Sequence, residues 1–430
     1  MLGGIAQLIP LLHNDVVIVH KNACGALRNL SYGRNNDENK LEIFKQDGIK
    51  ALIRLLKRTT DESTKESITA VLWNLSSCED IKGVILEEGL DALVKCILIP
   101  YSSIDAFKNN TNNLVYRASQ MNLNNTKLSN SRLLNEYHTS FATLLTNTTG
   151  VLRNCSSNVQ FSNCYDARKK LRESEGLILA LLRIIDHSVE PYLKGTEGSN
   201  NQQQLGESLA QQNIDSKCVE NSMCILRNLS FRLQEIIDPN YDREVQPMPS
   251  QDEKSSKSSK KKKNIEEDFL KSTFPYNMAV PNAGKPVELL WDLTTLSKYL
   301  IIIKESTIRD TLEASVGCLQ NLTACYWKPS ILIRQEIRKL KGLPMIVFLL
   351  QSDKPEDEPI ISVTAIALRN LAIDSKNREL IGKYAMKDLV SKLPDPKKPI
   401  SRVSVLSEDT ITASLACINE CIKANDDFVK

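Results

Sequence analysis

Seven times the alternation of apolar and polar positions returns to one phrase, Leu-x-Asn-(Leu/Cys)-(Ser/Thr/Ala). Its asparagine falls at residues 29, 74, 154, 228, 321 and 370, with a degenerate last copy at 419. With that Asn as position zero, positions −2 and +1 are apolar in the first six copies: Leu27/Leu30, Leu72/Leu75, Leu152/Cys155, Leu226/Leu229, Leu319/Leu322 and Leu368/Leu371. Position −5 is small or apolar (Cys24, Thr69, Thr149, Met223, Val316, Ala365). Residues three and four apart share a helix face, so these columns predict a buried stripe along a series of long helices. Another face carries positions −7, −4 and zero. Asn22, Ser67, Asn147 and Asn221 stand at −7, and Gly25, Ala70, Gly150, Cys224 and Gly317 at −4. Glycine inside a helix costs about 1 kcal/mol relative to alanine, so this column predicts close approach by another helix or by a bound backbone.

Upstream of most copies lies a second apolar element opening at Gly4, Gly48, Gly89, Gly176 or Gly342, and without glycine near Leu293 and Lys387. A short charged amphipathic piece such as 39–47 runs ahead of it. Short helix, glycine turn, helix, loop and long helix in about 42 residues is the armadillo unit. The prediction is an all-α, right-handed superhelical armadillo-repeat solenoid of about seven three-helix repeats. It forms a single domain over 1–430, with three long loop insertions at 100–138, 187–213 and 237–284. Those stretches are too polar and aperiodic to order themselves by burial.

Composition narrows the function. A solenoid reaches 430 residues without a growing core. No apolar run approaches the roughly 18 residues of a membrane span, so no direct membrane insertion is expected. The eleven cysteines include no C-x-x-C pair and several occupy helical columns, which predicts reduced packing residues in a soluble cytosolic protein. A net charge of +3 is too mild to predict specific nucleic-acid binding. Four scattered histidines, and no phosphate-loop, dinucleotide, zinc-protease or nucleophile-elbow motif, predict no catalytic residues, no cofactor and no metal site.

The candidate chemistry lies in the Asn column. One reading has each amide satisfy a neighbouring helix end or loop carbonyl. The other has a row of amides bind the main chain of an extended peptide, with donors and acceptors both on offer. The second is favoured from Asn29 to Asn228, where −7 is also polar, and weakens at Asn321 and Asn370, whose −7 residues are Ala314 and Val363. Specificity then falls to position −1, where Arg28, Arg153 and Arg227 suit acidic side chains and Trp73 supplies an apolar anchor. The predicted groove comprises Asn22, Arg28, Asn29, Trp73, Asn74, Asn147, Arg153, Asn154, Asn221, Arg227 and Asn228. Separately, Lys257, Lys260, Lys261, Lys262 and Lys263 form a basic loop, read either as a solvated segment or as a tether for an anionic partner.

The runs from Asn22 to Gly33, Asp37 to Lys40 and Leu72 to Ser77 resemble the delta-catenin subfamily of armadillo proteins, which is related to the plakophilins. So do 97–102, 168–172, 369–372 and 377–383, together with a lysine-bearing insertion before the fifth repeat. The resemblance implies a scaffold holding the acidic juxtamembrane segment of a classical cadherin cytoplasmic tail. It would act at the inner face of the plasma membrane in adherens junctions, and also in the nucleus, with Rho-family GTPases and nuclear import factors as further partners. Trp73 and Asn74 match the family's groove Trp-Asn pair, and Lys40 matches a groove lysine that meets cadherin acids. Further repeats on either side are also implied, so the chain reads as the middle of a longer array. A plakophilin-like desmosomal role is the alternative. An armadillo nuclear transport adaptor fits less well, because position −4 carries small residues where such adaptors carry Trp.

Overall fold

A computed structural model describes residues 3–33, 35–102, 127–157, 163–194, 213–239, 286–394 and 406–422. Seven long helices carry the seven Asn positions: Val17–Ser31, Glu62–Leu75, Lys127–Ser156, Lys217–Ser230, Arg309–Leu322, Glu358–Leu371 and Glu408–Ile422. Each packs on the next, so they form the inner layer of a continuous stack. Second helices lie behind them at Gly4–Leu11, Gly48–Arg58, Leu177–Lys194, Leu293–Glu305, Gly342–Phe348 and Met386–Ser391. Shorter first helices include Asp37–Lys45, Asn163–Glu173, Lys328–Lys339 and Ser375–Tyr384. Among the described residues no strand occurs. The chain is an all-α armadillo-repeat solenoid, as its columns predict.

The columns hold the layers together. Leu27, Leu72, Leu152, Leu226, Leu319 and Leu368 at −2 are fully buried. At about 2 kcal/mol for each buried leucine, that one column is a principal source of cohesion between repeats. At +1 the pattern holds except at Leu30, which is exposed. Side-chain caps start several helices: Asp61 accepts from the Thr64 N–H at 2.8 Å, Asp292 from Thr294 at 2.7 Å and Asp374 from Asn377 at 2.9 Å.

Three expectations need correction. The glycine opening the second helix is not always the turn residue. Left-handed backbone falls one residue earlier on Asp47 (φ 58°), Lys341 (φ 56°) and Gly3 (φ 71°), and on the opening glycine itself at Gly176 (φ 81°). Gly48 is required by packing instead, since a Cβ there would lie 2.6 Å from the Ile43 carbonyl oxygen. In the third repeat there is no turn at all. Glu79–Leu93 runs unbroken through Gly89 and continues by a π-turn at Val94–Leu98 into Ile99–Ser102. Third, helix reaches into two predicted insertions: 127–138 belong to Lys127–Ser156, and 187–194 complete Leu177–Lys194. Ser188 and Val189 are buried there, and apolar spacing upstream carries the helix past the polar composition. Apart from 100–102, 213 and 237–239, the remainder of the three insertions, the basic loop included, lies outside the described residues.

Candidate peptide groove

The Asn column forms a ladder between repeats. Asn74 donates from Nδ2 to the Arg28 carbonyl at 3.0 Å and to Ser31 Oγ at 3.2 Å on the preceding long helix. Asn154 donates to Ser76 Oγ and Asn228 to Ser156 Oγ, both at 3.0 Å. Asn321 reaches the Arg227 carbonyl and Ser230 Oγ, and Asn370 reaches the Gln320 carbonyl. Each accepting serine in turn donates to a carbonyl three residues back in its own helix, as Ser76 does to Trp73 at 2.7 Å. So the amide nitrogens satisfy neighbouring helix ends, the first of the two readings. The oxygens are another matter: among the described residues, Oδ1 of Asn74, Asn154 and Asn228 accepts no hydrogen bond. These three residues are half-buried and Asn29 is exposed, so a row of acceptors remains.

Position −7 behaves differently. Asn147 is buried and donates to Thr69 Oγ1 at 3.2 Å, while Asn221, only 1% exposed, donates to Thr149 Oγ1 at 3.3 Å. Where −7 is apolar, at Ala314 and Val363, the preceding −5 residue is Met223 or Val316. Asn147 and Asn221 are therefore inter-repeat fasteners beneath the surface, and a peptide on the long helices would not reach them. Asn22 of this column is exposed and Ser67 is half-buried.

Gly150 and Gly317 at −4 receive the −1 side chain of the repeat before. A Cβ on Gly150 would lie 2.6 Å from Trp73 Nε1, and one on Gly317 would lie 2.8 Å from Arg227 Nε. The close approach predicted at that column is thus made by a neighbouring side chain and not by a bound backbone. Trp73, seated on Gly150, keeps part of its indole exposed.

Electrostatics divide the −1 column. Among the described residues Arg28 is exposed and has no ion-pair partner. Arg153 bonds Glu220 on the next repeat and, through Nη2, Asp310 two repeats on at 2.9 Å. Arg227 bonds Glu313 at 2.7 Å. The acids expected of a partner are here supplied by the chain itself. The Arg153 hydrogen bond holds the Asp310 carboxyl below its ordinary value, so it stays ionised at neutral pH.

Lys40 is not available in this structure. Its Nζ is buried between Asp37 Oδ1 and Ser77 Oγ, both at 2.9 Å. It belongs with other buried cations of the first helices: Arg172 donates to the Leu229 and Phe231 carbonyls, and Arg334 to those of Thr323 and Cys325. Cations there close the C-terminal ends of long helices, where the dipole is negative. A basic residue recurring in each first helix was the available signal. Lys257, Lys260, Lys261, Lys262 and Lys263 lie outside the described residues.

No group of His, Cys, Asp and Glu among the described residues is placed to hold a metal, and no helix among them is long and apolar enough to cross a membrane. Burial pushes the Cys24, Cys155 and Cys218 thiols up to about 12, which leaves them protonated packing groups.

The Armadillo/beta-catenin-like repeat model matches residues 1–32 and 36–77. The chain is 37% identical over 442 residues to human (Homo sapiens) Catenin delta-2, covering 100% of itself and 32% of that protein. It is 37% identical over 430 residues to the Juxtamembrane domain-associated catenin of Caenorhabditis elegans, again with all of this chain and 29% of the relative. Plakophilin-4 of Mus musculus matches at 37% over 441 residues, with 100% and 32% covered. The chain therefore spans about a third of the length of these relatives. A designed armadillo repeat protein overlays with a TM-score of 0.48 at 12% identity, covering 85% of this chain and 99% of that one. The repeats and these whole-chain matches together make the protein a member of the delta-catenin branch of the armadillo-repeat family.

Proposed function

We propose that this chain is a non-enzymatic scaffold whose groove over the first repeats holds the acidic juxtamembrane segment of a classical cadherin tail. The observation that carries the reading is the row of unbonded Oδ1 atoms on Asn74, Asn154 and Asn228 beside Trp73 and the unpaired Arg28. The asparagines act chiefly as acceptors for peptide N–H groups, because their donors already face the preceding repeat. Such contacts hold an extended main chain without reading its sequence, and Arg28 and Trp73 select acid and apolar side chains. The printed name of the Caenorhabditis elegans relative, a juxtamembrane domain-associated catenin, agrees with this choice of partner. The scaffold then works in the cytoplasm at adherens junctions, with the nucleus as a second location. Rho-family GTPases and import factors are the further partners proposed for the basic loop of Lys257 and Lys260 to Lys263. The equal identity to Plakophilin-4 favours a desmosomal plaque role as the second reading.

Calorimetry with a cadherin juxtamembrane peptide tests this. Trp73→Ala is expected to lose about 2 kcal/mol of binding, as interface hot spots do, while thermal melting changes little. Equal affinity for wild type and variant would remove Trp73 from the site and the groove reading with it.

A further inference from the structure

Asp310 bonds Arg153, a side chain that the groove reading assigns to a partner's acid. It stands in the first turn of Arg309–Leu322, in the fifth repeat, yet its carboxylate meets Arg153 of the third repeat at 2.9 Å. The intervening fourth repeat contributes Glu220 to the same guanidinium. The two acids differ in kind. The Glu220 side chain is 9% exposed and also tied to Lys217 in its own helix, so it is a fixed part of the wall. Asp310 is 54% exposed and lines an open cleft of about 820 Å³ shared with Lys217, Arg309, Lys354 and Asp357. An exposed ion pair is worth little and exchanges readily, whereas a buried one does not. We infer that Asp310 is a specificity-determining residue that competes in cis for the Arg153 position, excluding an acidic partner from the third repeat unless it displaces this carboxylate. The inference rests on the groove reading above and adds a limit to it: acidic recognition is open at Arg28 and self-occupied at Arg153.

The test compares full-chain wild type, Asp310→Asn, Asp310→Asn combined with Arg153→Ala, and Glu356→Gln, each titrated at low ionic strength. Glu356 is a control of the same charge; it is 63% exposed and lies 4.0 Å from Arg309, which Asp357 holds at 2.6 Å whether or not Glu356 is present. Two probes are used, an oligoglutamate peptide and a cadherin juxtamembrane peptide. Asp310→Asn is expected to bind oligoglutamate about three- to tenfold tighter, a gain that shrinks with added salt. Adding Arg153→Ala should abolish the gain, and Glu356→Gln should produce none. Unchanged affinity of Asp310→Asn for oligoglutamate would overturn the inference, as would an equal gain in Glu356→Gln, which would mark a net-charge effect. Tighter oligoglutamate binding with no cadherin-peptide binding by any variant would support the cis competitor and refute the cadherin reading.

Discussion

The first two repeats and the next three are built from the same columns but present opposite surfaces. In the first two, Arg28 has no ion-pair partner among the described residues and Trp73 rests on Gly150 with its indole partly open. From the third to the fifth, Arg153 and Arg227 are closed by Glu220, Asp310 and Glu313. Repetition thus fixes where a side chain sits, and the acids that actually reach it decide whether it is available. Glu220 and Glu313, at −8 of the next long helix, pair with Arg153 and Arg227, whereas Glu66 at the equivalent place after Arg28 forms no ion pair with it among the described residues. A scaffold of nearly identical layers acquires a polarity along its length in this way.

The largest effect should come from unseating Trp73. Gly150→Leu places a branched side chain into the indole, and overpacking of this kind costs about 2 kcal/mol of stability. Peptide affinity should fall with it, because the anchor moves. Gly25 shares the same column, but a Cβ there meets nothing within 4 Å. Gly25→Ala should therefore leave melting unchanged or raise it slightly. Similar losses at both positions would mean that backbone and not the Trp73 seat explains the column. A smaller effect is expected from the charges. Arg28→Ala should weaken an acidic peptide by about 1 kcal/mol at low salt and by less as salt rises. Arg227→Ala should scarcely change binding, its guanidinium being paired to Glu313, and lower stability instead. Reversal of that order would contradict the division between the two regions.

Much of this was legible before any coordinates. Burial of Leu27, Leu72 and their equivalents follows from three- and four-residue spacing alone, and so does the stack of long helices. The ladder was half legible, since an asparagine two residues before a recurring hydroxyl gave both partners of the bond without giving their order. The pairing of Thr69 with Asn147 and of Thr149 with Asn221 was also present in the columns, as a hydroxyl at −5 matched to an amide at −7 one repeat later. What the sequence hid were contacts that skip the repeat. Arg153 and Asp310 are 157 residues apart and on non-adjacent repeats, so no periodicity relates them. Lys40 was misplaced for a related reason: a lysine near the start of a short helix has the same spacing whether it faces solvent or, as here, the Ser77 hydroxyl at 2.9 Å. Helix through 127–138 was missed because polar composition outweighed weak apolar spacing.

The central claim is that acidic recognition is confined to the open part of the groove. Photo-crosslinking places it most directly: an acidic juxtamembrane peptide carrying a photoreactive group beside each acid is bound to the full chain, and the attached residues are read by mass spectrometry. Crosslinks are predicted at Arg28, Asn29, Trp73 and Asn74, with none at Arg227 or Glu313. Attachment concentrated at Arg227 and Glu313, with Arg28 and Trp73 untouched, would contradict it.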